Sequence, residues 1–80
     1  MNKIKTKSER KFTALAKTGY DHTLKQDIFV KYRFNNIDNF LQFIQKKHNP
    51  LYINIYDRIG VNAGKLRYTW GRTKGLQQAY

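Results

Sequence analysis

Residues 27–57 carry three consecutive secondary-structure signals in the sequence DIFVKYRFNNIDNFLQFIQKKHNPLYINIYD. The first eight residues alternate between two sets of side chains, which is the period-two pattern of a β-strand with two different faces. One set contains Ile28, Val30, Tyr32 and Phe34, and the other contains Phe29, Lys31 and Arg33. Residues 51–57 alternate in the same way and predict a second strand. Its two sets are Leu51, Ile53 and Ile55 and, on the opposite side, Tyr52, Asn54 and Tyr56.

Between these strands, apolar residues recur at the spacing of an amphipathic helix. The stripe consists of Ile37, Phe40, Leu41 and Ile44. Asn35 or Asn36 can cap the first turn, where Asp38 also suits the positive end of the helix dipole. The basic residues 46–48 suit the last turn, and Pro50 prevents the helix from continuing. The sequence therefore predicts strand, helix and strand in succession.

The connection between the two strands, residues 35–50, is long enough for a crossover, so that the strands can lie parallel in one sheet. The apolar stripe of the helix should then cover the apolar face of both strands. The opposite face should stay uncovered, and it mixes aromatic rings with cations and has no acid in its middle. Its predicted members are Phe29, Lys31, Arg33, Tyr52, Asn54, Tyr56 and Arg58.

The segment before this block, residues 12–18, fits two structures. As a strand it would place Phe12, Ala14 and Ala16 on the inner face, and as a helix it would begin at Ser8 and end at Gly19. The alternation that ends at Phe34 extends back toward residue 24, which favours an early hairpin. We therefore predict a strand, with a short helix as the alternative.

After the block, residues 65–72 alternate again and predict the hairpin partner of the strand at 51–57. A turn that contains Gly60 and Gly64 should connect the two. Leu66, Tyr68 and Trp70 should face the helix, whereas Lys65, Arg67 and Thr69 should face outward. Residues 73–80 are predicted to form a tail after Gly71, although Leu76 and Tyr80 could fold back onto a sheet edge.

These elements predict an α+β fold of the ββαββ type, in which a mixed or antiparallel sheet of three or four strands carries one amphipathic helix on one face. Eighty residues suffice for one domain with a thin core. We expect residues 1–10 to form a flexible basic arm and residues 11–80 to form a single domain.

The chain is strongly basic, because 16 Lys and Arg residues oppose five acidic residues and give a formal net charge of +11. Such an excess favours nucleic acid, an anionic membrane surface or an acidic protein as the partner. Membrane-surface binding needs a helix with an exposed apolar face, and the predicted helix uses that face against the sheet. Cysteine is absent and no apolar run approaches the about 20 residues of a membrane span. We therefore expect a cytoplasmic protein whose partner is nucleic acid or a nucleic-acid-processing complex, with no membrane.

The predicted outer face combines this charge with aromatic rings. Exposed rings give bases a stacking surface, and cations hold the phosphate backbone. The candidate nucleic-acid-binding residues are Phe29, Lys31, Arg33, Tyr52, Tyr56, Arg58, Lys65, Arg67 and Arg72. No RNP1-like string such as K-G-F-G-F-V is present, so that the analogy with single-strand-binding sheets concerns architecture only. The simpler interpretation is that rings favour strands and that cations keep a solvated face soluble.

Signals of enzymatic chemistry are weak in this sequence. His22 and His48 are the only histidines, and they fall in a predicted turn and at the predicted helix end. The five acids lie mostly at element ends, where caps and turns use them. No Gly-rich phosphate loop of known spacing occurs. We predict no catalytic residues, no metal ligands and no cofactor.

Together these features predict a small, non-enzymatic protein that binds DNA or RNA through a basic, aromatic sheet face and a basic arm. An alternative is an inhibitor or adaptor encoded by a phage or mobile element, which docks on a host nucleic-acid enzyme in the manner of anti-restriction or anti-CRISPR proteins. A small basic ribonuclease that uses His22 and His48 as acid and base is the third interpretation.

Overall fold

The structure, a computed structural model, describes residues 10–79. The elements follow one another as β1 (Phe12–Asp21), β2 (Gln26–Phe34), α1 (Ile37–Lys47), β3 (Tyr52–Asp57), β4 (Leu66–Gly71) and β5 (Gly75–Gln78). The strands form one antiparallel sheet in the order β2-β1-β3-β4-β5. The protein is therefore α+β, with five strands rather than the three or four predicted. Residues 1–9 of the predicted arm lie outside the described residues.

The segment that fitted both strand and helix is β1, so that the strand prediction is confirmed. β1 pairs with β2 on one side and with β3 on the other, and both pairings are antiparallel. The strands at either end of the crossover, β2 and β3, consequently run in the same direction with β1 between them. Ala14 and Ala16 of β1 are fully buried, and their small side chains let α1 approach the middle of the sheet.

The helix has the predicted ends. Its N-cap is Asn36, whose side-chain oxygen accepts a hydrogen bond from the backbone N–H of Asn39 at 2.9 Å. Asp38 lies in the first turn, and Lys46 and Lys47 lie in the last, as the helix dipole favours. His48 follows as the C-cap. In the described part of the chain, no helix has the length and apolar character needed to cross a membrane.

The core lies between α1 and the sheet. The rings of Phe34 and Phe40 stack with centroids 4.1 Å apart and almost parallel planes. Its buried apolar members are Ala14, Ala16, Phe34, Phe40, Ile44, Ile53 and Ile55. Two residues predicted for this layer, Ile28 and Leu51, are instead each 42% exposed. The helix of 11 residues is about 16 Å long, whereas β2 extends about 30 Å, and so the helix covers only part of the strand.

The register between β3 and β4 shifts at a bulge. Ile55 lies opposite Tyr68, but the next residue, Tyr56, lies opposite Leu66, so that Arg67 is the extra residue of β4. Tyr68 packs against the core as predicted. The inward position predicted for Leu66 is wrong, because residues directly opposite one another share a face and Leu66 therefore lies on the same face as Tyr56.

The predicted tail contains the fifth strand. β5 pairs with β4 through a tight turn in which Gly71 lies opposite Gly75, and Gly75 has a φ of 76°, a conformation that favours glycine. Its sequence, GLQQ, has a single apolar residue and no clear alternation. The strand forms because the free edge of β4 offers unpaired backbone groups, which local patterning does not reveal.

Candidate nucleic-acid interface

We call the sheet face that α1 leaves uncovered the open face. Residues opposite one another on neighbouring strands point to the same side of a sheet, so that the strand pairing defines its members. They form three rows across the sheet: Arg33, Thr13, Tyr56 and Leu66; Lys31, Leu15, Asn54, Thr69 and Gln77; and Phe29, Lys17, Tyr52, Gly71 and Gly75.

One end of the open face carries an aromatic pair. The rings of Phe29 on β2 and Tyr52 on β3 meet edge to face, with centroids 6.2 Å apart and planes at 69°. Phe29 is 43% exposed and Tyr52 is 37% exposed. These two rings lean toward each other across β1 and leave aromatic surface in contact with solvent, which is what a planar ligand needs for stacking.

Lys17 of β1 lies between the two rings. Its Nζ is 5.9 Å from the centroid of Tyr52 and forms an ion pair with Asp27 at 2.9 Å. The hydrogen bond from Lys17 to Asp27 raises the pKa of the Lys17 amine above its ordinary value of 10.5. The ammonium group is charged at neutral pH, and the carboxylate of Asp27 compensates its charge beside Tyr52.

Two further cations stand along β2 beside the rings. Lys31 and Arg33 have exposed side chains, and within residues 10–79 neither takes part in an ion pair. The backbone oxygen of Arg33 accepts a hydrogen bond from Nη1 of Arg10 at 3.0 Å. Because the net charge of the whole chain is +11, this strand contributes to a surface that attracts anions.

The other end of the open face holds a depression of about 400 Å³. Its lining residues are Thr13, Leu15, Lys31, Tyr56, Asp57, Arg58 and Gly64. Leu15 and Tyr56, both half-buried, supply its apolar part. Its polar lining residues are Thr13, the cations Lys31 and Arg58, and Asp57, whose carboxylate is paired with Arg67. Such a mixture suits a planar ligand with apolar faces, polar edges and an attached negative charge.

Arg58 and Lys65 lie at the rim of this surface. The backbone N–H of Arg58 donates to the backbone oxygen of Lys11 at 2.9 Å. The side-chain Nη1 of Arg58 donates to the backbone oxygen of Arg10 at 2.8 Å. Arg58 therefore ties the turn after β3 to the start of β1 while it lines the depression. Lys65 is exposed in the turn that precedes β4.

Two other predicted site residues make hydrogen bonds within the fold. Arg67 is the extra residue of the β4 bulge, and its Nη1 donates to the buried carboxylate of Asp57 at 3.1 Å. The guanidinium of Arg72 donates to the backbone oxygens of Pro50 at 3.0 Å and Asn49 at 2.7 Å. These bonds give Arg72 a structural role, because they hold the loop between α1 and β3.

The two histidines contact tyrosines in separate places. Nε2 of His48 is hydrogen-bonded to the hydroxyl group of Tyr32 at 2.9 Å. The ring of His22, in the turn after β1, packs edge to face on Tyr20 with centroids 5.1 Å apart. Among residues 10–79, no group of three or more His, Cys, Asp or Glu side chains is arranged to hold a metal ion.

The open-face residues missed from the sequence include Thr13, Leu15 and Lys17. All three belong to β1, the central strand between β2 and β3. The signal was present, since FTALAKT alternates and Ala14 and Ala16 had been placed inward. The ambiguity between strand and helix kept the outward positions from being considered as part of the site.

Comparisons of the chain with protein-family models, with curated proteins and with solved structures found no match. What the open face offers is therefore described by its chemistry alone. It provides aromatic surface at one end, a depression with apolar and charged lining residues at the other, and two exposed cations along one side.

Proposed function

We propose that this protein binds nucleic acid through its open face and that it acts without catalysis. The observation that carries the proposal is the adjacency of ring and cations on β2, where Phe29, Lys31 and Arg33 occupy alternate positions of an edge strand. Tyr52 on β3 contacts the ring of Phe29. Rings beside cations on an uncovered sheet are suited to a ligand that carries both bases and phosphates.

The two kinds of side chain contribute in different ways. A base stacked on an exposed ring adds about 1–3 kcal/mol, and this contribution depends little on salt. A cation on a phosphate adds a contribution that falls with salt, because counterions are released when the complex forms. The proposal therefore makes separate predictions for the rings and for the cations.

The non-catalytic part of the proposal is supported by the contacts that both histidines make within the fold. His48 caps α1 and is hydrogen-bonded to Tyr32, and His22 packs on Tyr20 in a hairpin turn. General acid–base cleavage of RNA needs both groups within reach of one phosphate. Contacts within the fold account for the position of each histidine without such a role.

The proposal is tested by fluorescence anisotropy with labelled DNA and RNA oligonucleotides over a series of salt concentrations. Lys31→Ala combined with Arg33→Ala removes two cations from the open face. Lys46→Ala combined with Lys47→Ala removes the same charge from the exposed end of α1, on the other side of the sheet, and is the matched control. Both double variants are first compared with the wild type by thermal unfolding.

We expect the β2 double variant to bind every oligonucleotide more weakly and to lower the slope of log affinity against log salt by about 1.4 for single strands. The control should retain most of the affinity and the slope. Equal effects of the two variants would show that only net charge matters and would contradict the proposal. Negligible affinity of the wild type for free nucleic acid would also contradict it, and retention of a protein partner after nuclease treatment would then favour a docking inhibitor.

A further inference from the structure

We infer that the ligand of the open face is a single strand, whose bases lie over β3 and whose phosphates lie along β2. The inference rests on the proposed function and extends it to the form and orientation of the ligand. In this arrangement one base stacks at the aromatic pair of Phe29 and Tyr52, and another enters the depression beside Tyr56.

Two parallel columns of side chains form the basis for this inference. On β2 the open face presents Phe29, Lys31 and Arg33, and on β3 it presents Tyr52, Asn54 and Tyr56. β1 lies between them, so that the columns are about 10 Å apart. The β2 column supplies both cations and one ring, whereas the β3 column supplies a ring, an amide and a ring. The cations on β2 can therefore contact phosphates, and the side chains on β3 can contact bases.

The two ends of the columns differ in shape. At one end, Phe29 and Tyr52 lean together to a centroid distance of 6.2 Å and close the space over β1. At the other end, Tyr56 and Lys31 border the depression, with Leu15 between their strands. A base can therefore stack on the outside of the first end and can enter the second.

The depression has the size and chemistry of a small-ligand subsite. Its volume of about 400 Å³ lies at the lower end of the about 300–1,000 Å³ that is typical of ligand pockets. Tyr56 and Leu15 can contact the face of a base, and the hydroxyl group of Thr13 can hydrogen-bond to its edge. Lys31, which lines the depression from β2, is placed to reach the phosphate of the same nucleotide.

The spacing along β3 connects the two base positions. Tyr52 and Tyr56 are four residues apart, which corresponds to about 13 Å along a strand. Asn54 lies midway, and its amide is both a donor and an acceptor for a base edge. Bases in a duplex are stacked on one another and paired, so that their faces and pairing edges are not accessible to these side chains. In a single strand whose bases are turned out of the stack, both the faces and the pairing edges of the bases are accessible.

The test uses three labelled probes with similar phosphate content: a ten-residue single strand of thymidine, the same strand with all bases replaced by abasic sugars, and a duplex of five G·C base pairs whose strands are covalently linked at one end. We expect the thymidine strand to bind most tightly. Each stacked base should add about 5-fold to 150-fold in affinity, so that the abasic strand should bind at least about 5-fold more weakly. The duplex should bind no better than the abasic strand.

Tyr56 is then replaced in two ways that retain apolar bulk at a half-buried position. Tyr56→Phe keeps the ring and should bind the thymidine strand like the wild type. Tyr56→Leu removes the ring and should weaken binding of the thymidine strand by about 5-fold or more, with no change for the abasic strand. Phe43→Leu is the matched control, because it removes a 44% exposed ring from α1, on the other side of the sheet.

Methyl NMR supplies a readout that does not depend on affinity. The Leu15 methyl resonances should shift on addition of the thymidine strand and stay in place on addition of the abasic strand, while those of Leu24, exposed in the β1–β2 turn, should not respond. Equal binding of all three probes, with no effect of Tyr56→Leu, would overturn the inference. In that case, if loss of Lys31 and Arg33 still weakens binding, the proposed function stands and only the single-strand assignment fails.

Discussion

The buried carboxylate of Asp57 accepts a hydrogen bond from Nη1 of Arg67 at 3.1 Å. Asp57, at the end of β3, lies opposite Phe12 and also lines the depression at this end of the open face. Arg67 reaches it because the bulge in β4 gives that strand one extra residue at this point. A cation that alternation alone places on the outer face is thus used inside the fold.

Arg67→Ala should destabilise the protein by about 1.5–3 kcal/mol, because a hydrogen bond to a charged group is lost while the carboxylate stays buried. Part of Arg67 is exposed, with a side-chain accessibility of 34%, and solvent screening favours the lower end of that range. Urea denaturation provides the measurement. Lys65→Ala, in the exposed turn before β4, is the control and should change the free energy of unfolding by less than about 0.5 kcal/mol. Equal effects of the two variants would argue against this pair as a source of stability.

Ile44→Ala should cost about 2–5 kcal/mol, because the side chain is fully buried between α1 and the sheet. Leu41 is only partly buried beside the core, so that Leu41→Ala should cost less. In a domain whose total stability is about 5–15 kcal/mol, the first variant should lower the melting temperature clearly. A melting curve of Ile44→Ala that coincides with that of the wild type would mean that the helix is not packed on the sheet at this position.

Arg72→Ala should lower stability by about 1–3 kcal/mol, because two backbone carbonyl groups of the loop after α1 lose a charged donor. Asn49 in this loop has a φ of 48°, the left-handed conformation that Asn adopts more readily than most residues with a side chain. Arg72→Lys should not restore the loss, since an ammonium group lacks the fork of donors. Thermal unfolding of both variants is the measurement. If Arg72→Lys is as stable as the wild type, the two guanidinium hydrogen bonds are not the source of the stability.

His22→Ala and His48→Ala should leave nucleic-acid affinity close to that of the wild type, because both residues make contacts within the fold away from the open face. His48→Ala should in addition cost about 0.5–1.5 kcal/mol of stability through the lost hydrogen bond to Tyr32. The assays are oligonucleotide binding and incubation of purified protein with RNA. Cleavage of RNA that disappears in either variant would refute the non-enzymatic proposal.

Asp27→Asn should bring the pKa of Lys17 back toward 10.5, because the hydrogen bond to Asp27 is the largest cause of its upward shift. A group whose pKa is raised in the folded state adds stability below its unfolded pKa and loses that contribution as the pH rises through the folded value. The stability difference between wild type and variant should therefore be constant from neutral pH to about pH 10 and shrink above pH 10.5. NMR titration of the Lys17 side chain measures the shift. An unchanged pKa in the variant would mean that Asp27 is not the cause of the raised pKa of Lys17.

Sequence periodicity alone was sufficient for β2, α1 and β3. The alternation of residues 28–34 and the apolar stripe from Ile37 to Ile44 reflect side-chain directions that repeat within one element. The caps at Asn36 and His48 follow from the unpaired groups at helix ends in the same way. For the open face, the same reasoning found Phe29 and Tyr52 together with Lys31, since each of these positions is determined within its own strand.

Strand order, the fifth strand and the bulge were decided by the tertiary structure. β1 became central, and brought Leu15 and Lys17 into the open face, because it pairs with two partners at once. β5 exists because the edge of β4 had backbone groups to pair. The bulge moved Leu66 to the open face and turned Arg67 to Asp57. Each of these outcomes depends on which edge or charge lies nearby in space, and no local pattern of side chains carries that information.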